Sequence, residues 1–99
     1  MSKRRRFKPP KFSTVIGEGT IIRGDITFRD GLHIDGEVHG NLIGDPEDER
    51  ATLTLSDRGR VHGDVQVANV IINGLVEGNV YARSRVELAE EARITGKVH

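Results

Sequence analysis

The histidines are the side chains of this sequence with the widest chemical repertoire, because the chain contains no cysteine. It therefore has no thiolate nucleophile, no thiolate metal site and no disulfide. Two of the histidines, His39 and His62, occupy the same position in two copies of a Val-His-Gly motif. If these copies stack as neighbouring repeats, the two rings would lie about 5 Å apart. Such a pair could bind a metal ion, with His33 as a third ligand.

The positions equivalent to these histidines in the other motif copies argue against a metal. They are occupied by Arg23, Glu77 and Thr95, which do not complete a set of zinc ligands. His33 belongs to a different part of the repeat. We therefore expect a solvated histidine pair, no metal site, no cofactor and no catalytic residue.

Two other chemical signatures are absent from the sequence. The acids between Asp45 and Glu49 lack the spacing of a calcium-binding loop. No Gly-Lys-Ser/Thr motif for nucleotide phosphates is present. These absences favour a structural or binding protein over an enzyme, and we expect no enzymatic activity.

A five-residue unit, apolar-x-Gly-x-apolar, recurs along the chain and organises it. Short segments with alternating apolar and polar residues precede and follow each copy, as in Leu53-Thr54-Leu55. Period-2 alternation with β-branched residues predicts strands, and glycine at this density opposes helices, at about 1 kcal/mol per residue. The central glycines are separated by steps of 16, 23, 15 and 18 residues: Gly24, Gly40, Gly63, Gly78 and Gly96.

Three short strands in each repeat predict an all-β fold, a single-domain parallel β-helix of about five triangular turns. We expect this domain to span residues 13–99, with corners that alternate between long and short and a solvated loop at residues 44–50. Its predicted core takes one apolar residue from most strands: Ile16, Ile22, Ile26, Ile34, Val38, Leu42, Leu55, Val61, Val65, Ile72, Val76, Val80, Leu88 and Ile94.

The first twelve residues differ from the rest and predict a disordered polybasic tail, interrupted by Pro9-Pro10. The whole chain is neutral, with 15 basic and 15 acidic residues, so this charge is local. The positive charge of the tail is typical of a solubilising segment or of an anchor on an anionic membrane surface. A contact with nucleic acid or with an acidic protein is a less favoured alternative. The residues expected to make such contacts are Lys3, Arg4, Arg5, Arg6, Phe7, Lys8 and Lys11.

The Gly-x-apolar-x-Gly-x-apolar runs at 36–42, 59–65 and 74–80, together with the opening at 14–24, resemble those of bactofilins. Bactofilins are polymer-forming bacterial cytoskeletal proteins. The resemblance implies a right-handed β-helix, filaments that form without nucleotide, and a role in cell shape or protein positioning. It also implies a cytoplasmic location, often peripheral at the inner face of the cell membrane. Implied partners are the protein itself and peptidoglycan-synthesis or positioning proteins.

The ends of the predicted coil are where self-assembly is expected. We find no capping element at either end, whereas soluble β-helices usually cover their terminal turns. Stacking a second molecule would continue the strand ladders and bury the exposed slice of core. The residues expected at this polymer interface are Val15, Ile16, Ile22, Ile26, Val86, Leu88, Ile94 and Val98.

Two alternatives to a scaffold stay open. A monomeric or trimeric β-helical enzyme would resemble a carbonic anhydrase, or a hexapeptide-repeat acyltransferase, although the uneven repeat departs from the strict eighteen-residue period of the acyltransferases. The other alternative is a nucleic-acid-binding adaptor that uses the basic tail. No apolar run reaches the ~18 residues of a membrane span, and no secretory signal is recognisable.

Overall fold

The computed structural model describes residues 14–99, which form a parallel β-helix of about five turns without any helix. The all-β prediction is confirmed. The predicted polybasic tail lies outside the described residues. The twelve strands are β1 Thr14–Ile16, β2 Ile21–Arg23, β3 Ile26–Phe28, β4 Gly31–Ile34, β5 Glu37–His39, β6 Leu42–Gly44, β7 Thr52–Leu55, β8 Arg60–His62, β9 Val65–Ile72, β10 Leu75–Glu77, β11 Val80–Leu88 and β12 Arg93–Ile94.

The strands stack into three faces, and every neighbouring pair is parallel. The first face contains β1, β4 and β7, followed by the second halves of β9 and β11. The second face contains β2, β5, β8, β10 and β12. The third face contains β3, β6 and the first halves of β9 and β11, and Val98 bridges to Val80 at its end. The coil thus consists of turns 1 to 5, at residues 14–28, 31–44, 52–67, 70–82 and 86–99.

Two strands are longer than the pattern of three short strands per turn predicts. β9 and β11 each continue from the third face onto the first face of the next turn. In β9 the pairing passes from β6 to β7 across the loop at 44–51, and at this corner the Asn69 N–H donates to the Ala51 carbonyl at 3.0 Å. In β11 the register shifts between Ala82 and Arg85. A corner of this kind bends the chain without ending the strand.

The core is a set of apolar columns that run along the coil axis. Strand register places Ile34, Leu55 and Ile72 in one column, and all three are fully buried. A parallel column on the same face, which the predicted core did not include, contains Leu32, Leu53 and Val70. Ten of the predicted core residues are buried: Ile16, Ile34, Val38, Leu42, Leu55, Val61, Val65, Ile72, Val76 and Val80.

The remaining predicted core residues belong to the two terminal turns. Ile22, Ile26 and Ile94 are only partly buried, although they pack against the core. The prediction that Leu88 is buried is wrong, since its side chain is exposed. These residues share the register of buried ones but have a neighbouring turn on one side only within residues 14–99. Their exposure therefore comes from their place at the ends of the coil.

The corners between the first and second faces alternate in length, as predicted. Residues 17–20, 56–59 and 89–92 form long corners in turns 1, 3 and 5, whereas 35–36 and 73–74 form short corners. The short corner of turn 2 lies so close above the long corner of turn 1 that a Cβ on Gly36 would be 2.5 Å from the carbonyl oxygens of Gly17 and Thr20. Only glycine fits this close approach between two turns.

Candidate functional site

The C-terminal end of the coil exposes residues from the core columns. Val86, Leu88 and Val98 are 36%, 54% and 43% exposed. Their register partners one turn earlier, which are Val70, Ile72 and Val80, are fully buried. The same inward positions thus change from buried to exposed because turn 5 is the last described turn. This end of the coil therefore presents exposed apolar side chains.

The N-terminal end is apolar to a smaller extent. Ile22 and Ile26 are partly buried in turn 1, below the fully buried Val38 and Leu42. Ile16 is already buried by turn 2, so it adds little exposed area to this end.

Two exposed residues of turn 1 face sideways. Val15 pairs with the outward residue His33, so the structure places Val15 on a lateral face and not on the end. Ile21, which was not among the predicted interface residues, is exposed next to the outward Glu37. The sequence indicates the outward direction of Ile21, because it immediately precedes the inward Ile22 on the same strand.

The backbone at both ends also has unused hydrogen-bonding capacity. Within the described residues, β1, β2 and β3 pair only with turn 2, and β12 pairs only with β10 of turn 4. An edge strand presents a row of N–H and C=O groups that can template a further strand. Each end therefore combines an apolar slice with an open backbone ladder.

A ladder of side-chain hydrogen bonds follows the corner between the second and third faces. The Asp25 carboxylate accepts the Asn41 N–H at 2.8 Å, and the Asn41 side chain accepts the Asp64 N–H at 2.8 Å. The series continues through Asn79 to the Lys97 N–H at 2.9 Å. Lys97 has no acceptor oxygen on its side chain, so the ladder ends there. This column of outward residues ties every turn to the next.

A cluster of histidine and glutamate side chains lies on the second face. The rings of His39 and His62 stack with centroids 4.4 Å apart and planes 12° from parallel, in agreement with the predicted spacing. The Glu37 Oε2 atom lies 2.7 Å from Nε2 of His39 and 3.2 Å from Nε2 of His62. Glu77 Oε1 lies 2.5 Å from Nδ1 of His62. We call these four residues the His-Glu cluster.

The electrostatics of the His-Glu cluster favour a charged carboxylate. The hydrogen bond from His39 is the main cause that lowers the pKa of Glu37 below its usual value, and the nearby charge of His62 adds to it. Glu37, His39 and His62 each offer a ligand atom, and these atoms lie within 4.8 Å of one another. His33 stays apart from them, since it lies on the first face, paired with Thr54, and contacts Asp35 at 3.1 Å.

Comparison of the positions that are equivalent between repeats did not identify Glu37 as part of this cluster. It lies two residues before His39 on β5, so both side chains point outward from the same strand. This spacing of two residues is what indicates, in the sequence, that Glu37 lies next to His39. Glu77 was identified in the same column as the histidines, but only as one of several residues that fail to complete a ligand set.

The loop at residues 45–50 is held by local hydrogen bonds. Asp48 accepts the backbone N–H groups of Asp30 and Arg50, each at 2.9 Å. The hydrogen bond from Asp30 is the main cause that lowers the pKa of Asp48. Asp45 accepts the Glu47 N–H at 3.0 Å. These two carboxylates satisfy backbone donors, which accounts for Asp45 and Asp48 in this loop.

A search of residues 14–99 for a helix of the length and hydropathy needed to cross a lipid bilayer finds none.

Comparisons with known proteins give a consistent result. The family model for bactofilin, described as polymer-forming cytoskeletal, matches residues 14–99. Bactofilin BacP of Myxococcus xanthus (strain DK1622) is 35% identical over 86 residues, which are 87% of this chain and 34% of BacP. Bactofilin BacO of the same organism is 34% identical over 86 residues, 87% of this chain and 64% of BacO. The chain thus spans about a third of BacP and just under two thirds of BacO. No solved structure matches it.

Proposed function

Because the chain belongs to the bactofilin family of polymer-forming cytoskeletal proteins, we propose that it assembles end to end into filaments. The filaments act as a scaffold for cell shape or for the positioning of other proteins in the cytoplasm. The observation that carries this proposal is the exposure of the core columns in turn 5. Leu88 and Val98 continue columns that are fully buried one turn earlier.

The energy for assembly would come from the two exposed slices of core. At about 25 cal/mol for each Å² of apolar surface, a slice of a few hundred Å² contributes several kcal/mol before the costs of association. Backbone hydrogen bonds across the junction would also align the terminal strands of the two molecules. Because the contact needs only matching surfaces, assembly requires no nucleotide.

The arrangement of subunits follows from which ends meet. Contacts between like ends give a non-polar filament, and head-to-tail contacts give a polar one. The C-terminal end has the larger apolar surface, with Val86, Leu88 and Val98 exposed together. We therefore expect the stronger junction to involve turn 5.

The basic tail would attach the filament to an anionic membrane surface. One tail with six positive charges among residues 3–11 is a weak anchor. A filament presents many tails in parallel, and multivalency converts weak contacts into firm attachment. Proteins of peptidoglycan synthesis or of positioning would be recruited to such a membrane-bound scaffold.

Charge placed in turn 5 tests the assembly. We expect Leu88→Arg and Val98→Asp each to give short oligomers or monomers, because each puts an unpaired charge into the junction. The measurements are negative-stain electron microscopy and sedimentation velocity, with circular dichroism to verify the fold.

Two lateral substitutions serve as matched controls. Tyr81→Arg adds the same charge on the same strand as Leu88→Arg, but in an outward position that pairs with Gln66. Asn79→Asp adds the same charge as Val98→Asp and keeps the acceptor for the Lys97 N–H. Both should form long filaments. Long filaments of folded Leu88→Arg would show that turn 5 is not the junction, and a wild-type protein that stays monomeric at high concentration would refute the scaffold.

A further inference from the structure

The His-Glu cluster has the ligands and the geometry of a metal site. Equivalent positions in the repeats supply only two imidazoles, but Glu37 adds a carboxylate from the neighbouring outward position of β5. The ligand atoms of Glu37, His39 and His62 lie within 4.8 Å of one another. Two imidazoles and one carboxylate, with a fourth position open to water, form a set that zinc accepts in proteins.

The contact with Glu77 determines which ring nitrogen of His62 faces Glu37 without a hydrogen. A carboxylate can only accept hydrogen bonds, so the 2.5 Å contact with Glu77 places a proton on Nδ1 of His62. In the neutral ring, Nε2 of His62 then has only a lone pair, and it faces Glu37 Oε2 at 3.2 Å.

Glu77 provides the outer support that a metal-binding imidazole needs. Histidine ligands usually donate their second ring N–H to a carboxylate, which fixes the tautomer and makes the free nitrogen a better ligand. The contact between His62 and Glu77 is of this type, and it leaves Nε2 of His62 near Glu37 Oε2. Glu77 thus orients the ring of His62 so that its Nε2 atom is available as a metal ligand.

His39 can complete the site with a small change. Its Nε2 lies 2.7 Å from Glu37 Oε2, so a metal ion would replace the proton of this hydrogen bond. The side chains of Glu37, His39 and His62 are between 28% and 42% exposed, so an ion has access from solvent and the rings have room to adjust. Turns 2 and 3 lie inside the coil, which keeps the site away from its ends.

We propose that Glu37, His39 and His62 bind one divalent transition-metal ion of the class that prefers imidazole, such as zinc, with Glu77 as the orienting carboxylate. The ion joins β5 of turn 2 to β8 of turn 3. Arg23 and Arg60 occupy the neighbouring register positions, and their positive charges limit the affinity. The site does not depend on filament assembly, because it lies on a lateral face.

The test is a zinc titration of the full chain at neutral pH, in competition with a colorimetric chelator. We expect one zinc ion per chain, and binding at least ten-fold weaker in Glu37→Gln, His39→Gln and His62→Gln. Glu77→Gln should weaken binding by about 10–100-fold. His33→Gln, which removes a histidine outside the cluster, should bind as the wild type does.

Two further measurements separate a metal site from a protonated histidine. Cobalt in place of zinc should give the visible absorption of tetrahedral nitrogen and oxygen coordination, and His62→Gln should lose it. Excess zinc should raise the thermal midpoint of the wild type but not of His62→Gln, since a ligand that binds the folded state stabilises it. The proposal is overturned if the wild type binds no stoichiometric zinc, or if His39→Gln and His62→Gln, both folded by circular dichroism, bind zinc unchanged.

Discussion

At the scale of single residues, the glycine of the apolar-x-Gly-x-apolar unit determines how closely successive turns pack. A Cβ built on Gly40, Gly63, Gly78 or Gly96 would overlap the carbonyl oxygen of the equivalent glycine one turn earlier. Gly24, in turn 1, has nothing within 4 Å and needs glycine for its φ of +132°. The repeated glycine therefore keeps a backbone column free of side chains.

Gly78→Ala tests this steric role. The obstructing atoms belong to the backbone of Gly63, which cannot rotate away. We expect a loss of about 1–3 kcal/mol in the free energy of unfolding, measured by denaturant unfolding followed by circular dichroism. Gly17→Ala is the matched control, because a Cβ there meets nothing within 4 Å, and it should be neutral or stabilising by up to about 1 kcal/mol. Equal losses in the two variants would mean that packing does not explain the glycine column.

Single residues also show what could be predicted from the sequence. The stacking of His39 on His62 followed from their equal places in the motif, because parallel register brings equivalent residues together. The approach of Glu37 to both rings did not follow, since it depends on side-chain rotamers across two columns. The exposure of Leu88 shows that a column position predicts the direction of a side chain, whereas its burial also depends on the turns that cover it.

At the scale of elements, the loop at 45–50 shows how an insertion is accommodated in the coil. It leaves β6 at Gly44 and returns at β7 without disturbing the register of β4 with β7. Asn69 supports the loop from turn 4, since its side chain donates to the carbonyls of Glu49 and Ala51. Asp48 supports it from within through the Asp30 N–H. The insertion is therefore an ordered corner.

Asp48→Ala should destabilise the protein in a way that depends on pH. The pKa of Asp48 lies below its ordinary value of 3.8 because its charged form accepts backbone N–H bonds. A lowered pKa stabilises the fold fully above the ordinary value, and this contribution is lost as the pH falls through the folded-state pKa. The stability gap between wild type and variant should thus be largest at neutral pH and close in strong acid.

The measurement for Asp48 is denaturant unfolding of both proteins between neutral pH and a pH of about 2. Glu47→Ala, which removes an exposed acid from the same loop, is the control and should show no such gap. A gap for Asp48→Ala that stays constant over this range would contradict the role of its charge.

Element prediction succeeded where the repeat was regular. Alternating triplets such as Leu53-Thr54-Leu55 predicted strands. The number of residues between inward positions on either side of a corner, four from Ile34 to Val38 and six from Leu55 to Val61, predicted short and long corners. The continuity of β9 and β11 was not predicted, because Ala68 and Asn69 interrupt the alternation as a corner does. At the corner of β9 the Asn69 N–H bonds to the Ala51 carbonyl where pairing with β7 begins, and a single-sequence pattern does not show such a contact between turns.

At the scale of the whole molecule, the proposed function assigns attachment and assembly to different parts of the chain. Deletion of residues 1–11 should leave filaments intact but abolish co-sedimentation with anionic vesicles at low salt. Each basic residue contributes about 1 kcal/mol near such a surface. A variant with Arg4, Arg5 and Arg6 changed to glutamine should therefore bind about 100-fold more weakly. Neutral vesicles serve as the lipid control.

Other outcomes of this experiment identify another role for the tail. A full-length protein that ignores anionic vesicles but retards DNA would favour a nucleic-acid contact. Phe7→Ala separates insertion into the lipid from charge attraction, since it leaves every positive charge in place. If deletion of the tail also removed the filaments, the separation of attachment from assembly would be wrong.

The alternation of corners has a consequence for the symmetry of any filament. Inside one subunit, each long corner is followed by a short corner in the next turn. Turns 1 and 5 both have long corners, so a head-to-tail junction in register places two long corners next to each other. The alternation of long and short corners along such a filament is therefore interrupted once per molecule. A fibre would diffract at the turn spacing of about 4.8 Å and also at the five-turn repeat of about 24 Å. Back-to-back subunits would double the longer period.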